Sequence, residues 1–385
     1  MIAVIADDFT GAAEIGGIGL RHGLKVVIET KSIQRCDADL LVFATDTRSL
    51  APDHASEVMR EITGKILNLK PSLIYKKLDS VLRGNISAEL LAQMQVAGKQ
   101  RAVIVAANPA LKRIIRDGIY YIDGVPLEET NFSKDPEYPV ISSSVSEIIG
   151  GSNLFTCISP DSSLPDEGLI LGDVTELDDL KKWALQIDES TFPAGASGFF
   201  DALLTNREIT GNENYSCAKD FGNNILYILG STYPKSEHQL STIESSGYLL
   251  SDMPREIYFN KDFNPSVLDH WADEIVHGLS NKRKVVVSVT HFSNAEPLLS
   301  ERIKENLGVL VKKVFRKIDL NELIIEGGST TSVILNHLNI NKLYPVQELD
   351  TGVIRMKTDE SRGTYITTKP GSYTWPGILW MKNDK

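Results

Sequence analysis

Short apolar runs alternate with patterns of helical period along most of this chain. In the first half, predicted strands lie at 2–6, 40–44, 72–77 and 102–106, and predicted helices lie at about 11–22, 52–69 and 85–97. Strands that alternate with helices in this way form a largely parallel sheet flanked by helices. The alternation therefore predicts an α/β fold for this part of the chain.

The alternation restarts in the second half after an interruption. Predicted strands lie at 225–229, 284–289 and 322–326, predicted helices lie at about 235–246, 296–317 and 330–338, and three short strands follow up to Thr368. The Gly211–Asn214 stretch and Gly222 break the periodicity between the halves. The 385 residues also exceed the usual size of one domain, about 100–200 residues. We predict two α/β domains, 1–222 and 223–385, with a ligand cleft between them.

A cluster of charged residues follows the third predicted strand. The segment from Tyr75 to Asn85 contains Lys76, Lys77, Asp79, Ser80 and Arg83. Ligands of α/β folds bind at the carboxyl ends of strands, where these cations could hold a small anion and Asp79 could hold a sugar hydroxyl. The alternative is an ordinary loop whose charges point into water. The segment alone does not separate the two.

Two neighbouring acids, Asp7 and Asp8, follow the first predicted strand. They could orient a polyol hydroxyl, take its proton or help to hold Mg²⁺. Helix capping is the alternative, but it requires only one such residue and the loop also supplies Thr10. Arg48 follows a second predicted strand end, and a surface arginine is the alternative there.

Three strand ends in the second half carry glycines. The chain has no P-loop motif, so P-loop kinases are excluded. The best substitute is Gly327-Gly328-Ser329-Thr330, where glycines allow close backbone approach and helix amides can bind phosphate oxygens. A plain turn with a helix cap is the alternative for this motif alone. Gly230-Ser231 and Lys369-Pro370-Gly371 repeat the pattern, so three such ends favour a nucleotide site.

These motifs together resemble the four-carbon acid sugar kinases. Blocks similar to that family occur in its order at 6–12, 76–85, 107–109, 123–130, 135–139, 229–231, 327–328 and 368–371. The resemblance implies that Arg48 contacts an acid substrate and that Ser231, Gly327 to Thr330, and Gly371 surround ATP. It implies an ATP- and Mg²⁺-dependent kinase of threonate, erythronate or 3-oxo-tetronate, with the terminal hydroxyl as acceptor. Asp8 is the first choice for the base, and the sequence does not separate it from Asp7.

The chain departs from the family at two places. Ser329 stands where the family has an acid after the paired glycines, and Gly371 is followed by Ser-Tyr-Thr-Trp instead of further glycines and an aromatic. A catalytically silent sugar-acid-binding or regulatory protein is therefore a rival hypothesis. A nicotinamide-dependent oxidoreductase is a weaker one, because Gly16, Gly17 and Gly19 come too late for a dinucleotide fingerprint and suit helix packing.

Composition bounds the partners and the location. A net charge of -11 argues against nucleic acid, and no apolar run reaches membrane-spanning length. The three cysteines are far apart and form no metal-binding pair, which suggests a reducing compartment, by default the cytoplasm. The seven histidines show no metal-ligand spacing. The sequence is also compatible with a homo-oligomer.

Overall fold

The computed structural model describes residues 1–135, 138–150, 155–212, 221–230, 247–282, 284–289, 299–359, 363–371 and 373–380. The chain forms two compact units, residues 1–214 and 215–385. Each unit is an α/β structure with a largely parallel sheet flanked by helices, which confirms the predicted fold class. Among the residues that the structure describes, no helix has the length and apolarity needed to cross a bilayer.

The first unit is built on a fully parallel sheet. The strands of the unit are β1 (Ile2–Ala6), β2 (Val26–Glu29), β3 (Leu40–Ala44), β4 (Leu73–Lys77), β5 (Arg101–Val105), β6 (Arg113–Arg116), β7 (Ile119–Ile122), β8 (Val125–Pro126), β9 (Phe155–Ile158), β10 (Gly168–Gly172) and β11 (Thr191–Gly195), of which β6, β7 and β8 lie outside the parallel sheet. Its helices are α1 (Phe9–Arg21), α2 (Pro52–Asn68), α3 (Ile86–Ala97), α4 (Val145–Ile148), α5 (Leu177–Leu185) and α6 (Ser197–Asn206). The order across the parallel sheet is β2-β3-β1-β4-β11-β5-β10-β9.

The central strands of this sheet are buried on both faces. Every residue of β1 is buried, as expected for a parallel strand covered by helices on both sides. Gly19 of α1 allows one of these helices to pack closely, since an added Cβ would lie 2.6 Å from the Val26 side chain and 2.7 Å from that of Leu40. The packing role predicted for this glycine is therefore confirmed.

The register brings several strand ends to one level. Ala6, the last residue of β1, pairs with Ala44 on one side and Lys77 on the other. The loops that follow β1, β3 and β4 therefore start side by side at the carboxyl edge of the sheet. These loops carry most of the site residues predicted for the first half of the chain.

A small antiparallel sheet follows β5. It contains β6, β7 and β8, and the turn between the last two consists of Asp123 and Gly124 with φ values of 54° and 81°. Positive φ at both positions is typical of a tight hairpin turn. The Asp-Gly dipeptide at this turn is the sequence signal for such a hairpin.

The second unit has a mixed sheet. Its strands are β12 (Ile225–Leu229), β13 (Leu249–Asp252), β14 (Lys284–Ser288), β15 (Glu322–Glu326), β16 (Lys342–Asp350), β17 (Val353–Thr358) and β18 (Tyr365–Lys369), and its helices are α7 (Arg255–Phe259), α8 (Pro265–Lys282), α9 (Leu299–Lys317) and α10 (Gly328–Leu338). The order is β13-β14-β12-β15-β18-β17-β16, with antiparallel pairing only from β18 onward.

The predicted alternation omitted several elements, among them β9, β11, α6 and α8 and the two short strands β2 and β13. The two strands have four residues each, which is too short for a clear apolar run. The helix α8 does carry a helical spacing in its buried side chains Leu268, Trp271, Ile275 and Leu279, so its signal was present. The predicted helix at 235–246 lies outside the described residues.

Candidate active site

The aspartate pair lies where β1 ends and α1 begins. Asp8 caps α1, because its carboxylate accepts hydrogen bonds from the Gly11 amide at 2.8 Å and from the Thr10 hydroxyl at 2.6 Å. The capping alternative is therefore correct for Asp8. Capping does not explain Asp7, which is 4% exposed and whose Oδ1 is buried without a hydrogen-bond partner.

Arg48 joins this pair to the charged segment after β4. Its Nε lies 2.7 Å from Asp7 Oδ2, its Nη2 lies 3.1 Å from Asp8 Oδ1, and its Nη1 lies 3.4 Å from Asp79 Oδ1. One guanidinium therefore holds three carboxylates that come from the ends of two strands. Arg48 is not a solvated surface arginine, since its side chain is only 13% exposed.

The carboxylates of Asp8 and Asp79 are ionised at neutral pH. Burial acts to raise the pKa of Asp8, but Arg48 and the Thr10 hydroxyl hold that pKa below its ordinary value. Burial acts in the same direction on Asp79, and Arg83 together with Arg48 brings its pKa well below the usual range. The carboxyl edge of the sheet thus carries the negative charges of Asp8 and Asp79, which are paired with the guanidinium groups of Arg48 and Arg83.

Arg83 makes a second bridge. Its Nε and Nη2 donate to the two oxygens of Asp79 at 2.8 and 2.9 Å, and its Nη1 donates to Asp135 Oδ2 at 2.9 Å. The loop reaches this geometry through left-handed backbone at Leu82 and Gly84, with φ values of 65° and 97°. The alternative of a loop with charges in water is therefore wrong for Asp79 and Arg83.

Lys77 lies beside the first turn of α1. Its ammonium donates to the Leu78 carbonyl at 2.8 Å and lies 3.3 Å from Glu14 Oε2. The other Glu14 oxygen accepts a hydrogen bond from the Ser197 hydroxyl at 2.8 Å. An added Cβ on Gly11 would lie 3.4 Å from the ammonium nitrogen, so this cation borders the same helix start as Asp8.

Lys76 is not brought into this cluster. Its side chain is 0% exposed, and its ammonium lies 2.5 Å from Glu89 Oε2 on α3 and 3.9 Å from the Met59 sulfur on α2. Consecutive side chains of a strand point to opposite faces of the sheet, so Lys76 and Lys77 diverge. Substrate binding by Lys76 stays a prediction, and its internal ion pair speaks against it.

Several residues at this edge had no predicted role. Glu14 and Asp135 each bind one of the predicted cations, and Tyr120 donates its hydroxyl to the Ser80 carbonyl at 2.5 Å. Tyr120 lies in β7 and Asp135 lies after β8. Local sequence patterns do not place this part of the chain at the carboxyl edge of the parallel sheet. Glu14 lies one helical turn after Gly11, so its helical spacing was the available signal.

The three glycine-bearing strand ends of the second unit are neighbours. They follow β12, β15 and β18, which are adjacent in the sheet, and the Gly327 amide donates to the Lys369 carbonyl at 3.0 Å. An added Cβ on Gly230 would lie 2.8 Å from Thr330 Oγ1, so this glycine lets the start of α10 pack against the end of β12. Ser231 lies outside the described residues.

The backbone at two of these turns borders open space. Gly327 has φ 94°, and the nearest atom to an added Cβ would be Thr330 Oγ1 at 3.9 Å. An added Cβ on Gly371 would meet nothing within 4 Å. The helix α10 starts at Gly328, and the first amides of a helix have no partners within it. Ser329 is half-buried in this first turn.

A buried ion pair lies next to the Gly327 turn. Glu326 is 8% exposed, lies 3.4 Å from the Lys369 ammonium and accepts a hydrogen bond from Trp375 Nε1 at 3.0 Å. Lys369 also donates to the Pro370 carbonyl at 3.1 Å. Burial lowers the pKa of Lys369, although Glu326 opposes this. The pair ties the turn after β18 to the turn after β15.

The acids of the described residues do not form a dedicated metal site. No group of three or more His, Cys, Asp or Glu side chains suited to a metal occurs among them. Asp8, Asp79 and Glu326 are each paired with a cation. Mg²⁺ bound to protein and nucleotide takes many of its ligands from phosphates and water. We therefore assign no protein ligand to the Mg²⁺ that the resemblance implies.

Family models and curated relatives agree on the kind of protein that this chain resembles. The sugar-binding N-terminal domain family matches residues 2–203, and the nucleotide-binding C-terminal domain family matches residues 226–373. The D-threonate kinase of Salmonella typhimurium is 26% identical over 381 residues, which cover 87% of this chain and 86% of that protein. The D-erythronate kinase of Heliobacterium modesticaldum is 24% identical over 384 residues, which cover 88% and 85%.

A solved structure agrees in fold. A Haemophilus influenzae protein of the DUF1537 family superposes with a TM-score of 0.71 over 98% of each chain at 17% identity, which concerns the fold alone. Because the curated relatives are kinases, they favour a phosphotransferase over the two rival hypotheses, a catalytically silent binding protein and a nicotinamide-dependent oxidoreductase. The chain therefore belongs to the four-carbon acid sugar kinase family and is a phosphotransferase.

Proposed function

We propose that this chain is a cytoplasmic, ATP-dependent kinase that phosphorylates the terminal C4 hydroxyl of a four-carbon sugar acid. In this proposal residues 1–222 bind the sugar acid and residues 223–385 bind ATP. The observation that carries it is the buried aspartate cluster at the carboxyl edge of the first unit, with Arg48 among three carboxylates. Similar proteins named D-threonate, D-erythronate and 3-oxo-tetronate kinases support the substrate class.

The geometry favours Asp7 over Asp8 as the group that receives the acceptor proton. Both oxygens of Asp8 are engaged by Thr10, by the Gly11 amide and by Arg48. Asp7 has one oxygen on Arg48 and a second, Oδ1, that is buried and has no hydrogen-bond partner. An acceptor hydroxyl can donate to this oxygen, while Asp8 caps the helix and fixes Arg48.

The reaction then follows an in-line transfer. The C4 oxygen forms a bond to the γ-phosphorus as the bond between that phosphorus and the β,γ-bridging oxygen breaks, and the hydroxyl proton passes to Asp7. The products are the C4 phosphate ester and ADP. In the second unit, the turn from Gly327 to Thr330 and the turn at Gly371 position the phosphates through backbone amides. Mg²⁺ bound with ATP neutralises charge on the phosphates.

The test is an ADP-release assay with Mg²⁺-ATP. The acceptors are both enantiomers of threonate and of erythronate and the corresponding 3-oxo acids. We expect ADP release with at least one acid, together with a product phosphorylated at C4 by phosphorus NMR. ADP release that is equal with and without every acid, or a phosphate found on another carbon, would contradict the proposal.

A further inference from the structure

Arg113 is a buried arginine that the proposed reaction has not yet used. It begins β6, directly after the turn that follows β5, and it is 7% exposed. Its Nη1 is buried and has no hydrogen-bond partner. A buried guanidinium with an unused donor is costly, because the group keeps its charge and loses its water.

The other cations of this edge already have carboxylate partners. Arg48 is paired with Asp7, Asp8 and Asp79, and Arg83 is paired with Asp79 and Asp135. Lys77 and Lys76 are paired with Glu14 and Glu89. Within the part of the chain that the structure describes, no carboxylate forms an ion pair with Arg113. Arg48 and Arg83 are therefore already paired with carboxylates, whereas Arg113 keeps a buried donor without a partner.

Arg113 also lies close to the charged segment after β4. Cross-strand pairing puts Arg113 and Ile115 on the same face of the small sheet as Tyr120, which is opposite Ile115. The Tyr120 hydroxyl donates to the Ser80 carbonyl at 2.5 Å. Burial raises the pKa of Tyr120, and Arg113 opposes that rise, which agrees with a guanidinium near this hydroxyl.

We propose that Arg113 binds the carboxylate of the sugar acid, in addition to the substrate-binding residues predicted at this edge. This inference rests on the proposed function of the same site. A planar guanidinium matches a carboxylate with two parallel hydrogen bonds, and a sugar acid supplies the anion that the protein itself does not. Arg113 would then select acids over uncharged polyols of the same length.

The test compares D-threonate with threitol, a polyol that carries a hydroxymethyl group in place of the carboxylate. Calorimetry without ATP gives the Kd of each ligand for the wild type, Arg113→Met and Arg113→Lys. We expect Arg113→Met to raise the Kd of threonate by about 10- to 100-fold and to leave that of threitol unchanged. Arg113→Lys should fall between the two, because it keeps the charge and loses the planar fork.

Arg116→Met is the matched control, since Arg116 ends the same strand and is exposed. It should bind both ligands as the wild type does. Arg113→Ala with added methylguanidinium gives a second measurement, in which recovery of threonate binding supports the proposal. Equal weakening of threonate and threitol, or no weakening of threonate, would overturn it.

These outcomes are separable from the proposed function. A wild type that binds threonate without releasing ADP contradicts the kinase proposal and leaves the Arg113 comparison measurable. A wild type that binds none of the four-carbon acids contradicts both.

Discussion

The carboxyl edges of the two sheets differ in the chemistry that they present. In the first unit, the edge carries charged side chains such as Asp7, Arg48 and Asp79, held in a network of ion pairs. In the second unit, the corresponding edge carries glycines, with open space beside Gly327 and Gly371. Side chains can select one small substrate by its hydroxyls and charge, whereas backbone amides suit a phosphate chain common to many nucleotides. Under the proposed function, the carboxyl edge of an α/β sheet thus serves two kinds of recognition.

The largest effect should come from the aspartates. We expect Asp7→Asn to lower kcat by about 10²- to 10⁴-fold with little change in the KM of either substrate, since it removes the proposed proton acceptor. Asp8→Asn should lower kcat less, because asparagine also caps a helix. Steady-state ADP release measures both. Unchanged turnover in both variants would remove the base role from this pair.

The next effect separates stability from substrate binding at Lys76. Lys76→Met leaves Glu89 as an uncompensated buried charge and should lower the free energy of unfolding by about 3–5 kcal/mol, measured by urea denaturation. The double variant Lys76→Met with Glu89→Leu should recover most of that loss, and the KM of the sugar acid should be unchanged in it.

Lys65→Met is the control for that comparison, because Lys65 pairs with Glu61 on the exposed surface of α2. It should change the stability little. A large rise in the sugar-acid KM of the double variant, at normal stability, would instead support the predicted substrate role of Lys76.

A smaller effect, on the KM of ATP, tests the glycine-bearing carboxyl edge of the sheet in the second unit. Gly371→Ala should raise the KM of ATP by roughly tenfold, or about 1.4 kcal/mol, and leave that of the sugar acid unchanged. The backbone there tolerates alanine, and the new methyl group enters open space that the proposed function assigns to the nucleotide. Gly377→Ala is matched to it, since nothing lies within 4 Å of a Cβ there either. Equal effects of the two substitutions would argue against nucleotide binding at Gly371.

The smallest effect is a difference in pH dependence. The pKa of Asp8 and of Asp79 is lowered by folding, so their contribution to stability is full above the ordinary value of 3.8 and is lost as the pH falls through the folded values. The pKa of Lys369 is also lowered, so stability should rise with pH between its folded value and the ordinary 10.5. Unfolding followed from acid to alkaline pH checks both slopes.

Two variants show which residues cause these slopes of stability against pH. Asp79→Asn should flatten the acid slope alone, and Lys369→Met should flatten the alkaline slope alone. Persistence of both slopes in both variants would show that other groups cause them.

The fold was largely predictable because its signals are local. The period of the apolar residues located β1, β3 and β4 to within a residue or two, and the Asp123-Gly124 dipeptide located its hairpin turn. The four-residue strands β2 and β13 were missed, since a short strand acquires its identity from its neighbours in the sheet.

The candidate site was only partly predictable. The sequence identified Asp7, Asp8 and Asp79 as a group at strand ends, because parallel strands bring their carboxyl ends to one edge. It did not show which cation meets which acid. Lys76 and Lys77 are neighbours in sequence, yet they bind Glu89 on α3 and Glu14 on α1.

The sequence by itself determined the two α/β units, the acidic edge of the first and the glycine edge of the second, because strand period and turn chemistry act over a few residues. Only the tertiary structure decided that Arg48 and Arg83 are neutralised by aspartates and that Arg113 is left with a free donor. Ion pairing depends on distances between residues far apart in the chain. Those distances exist only after the helices and strands have packed.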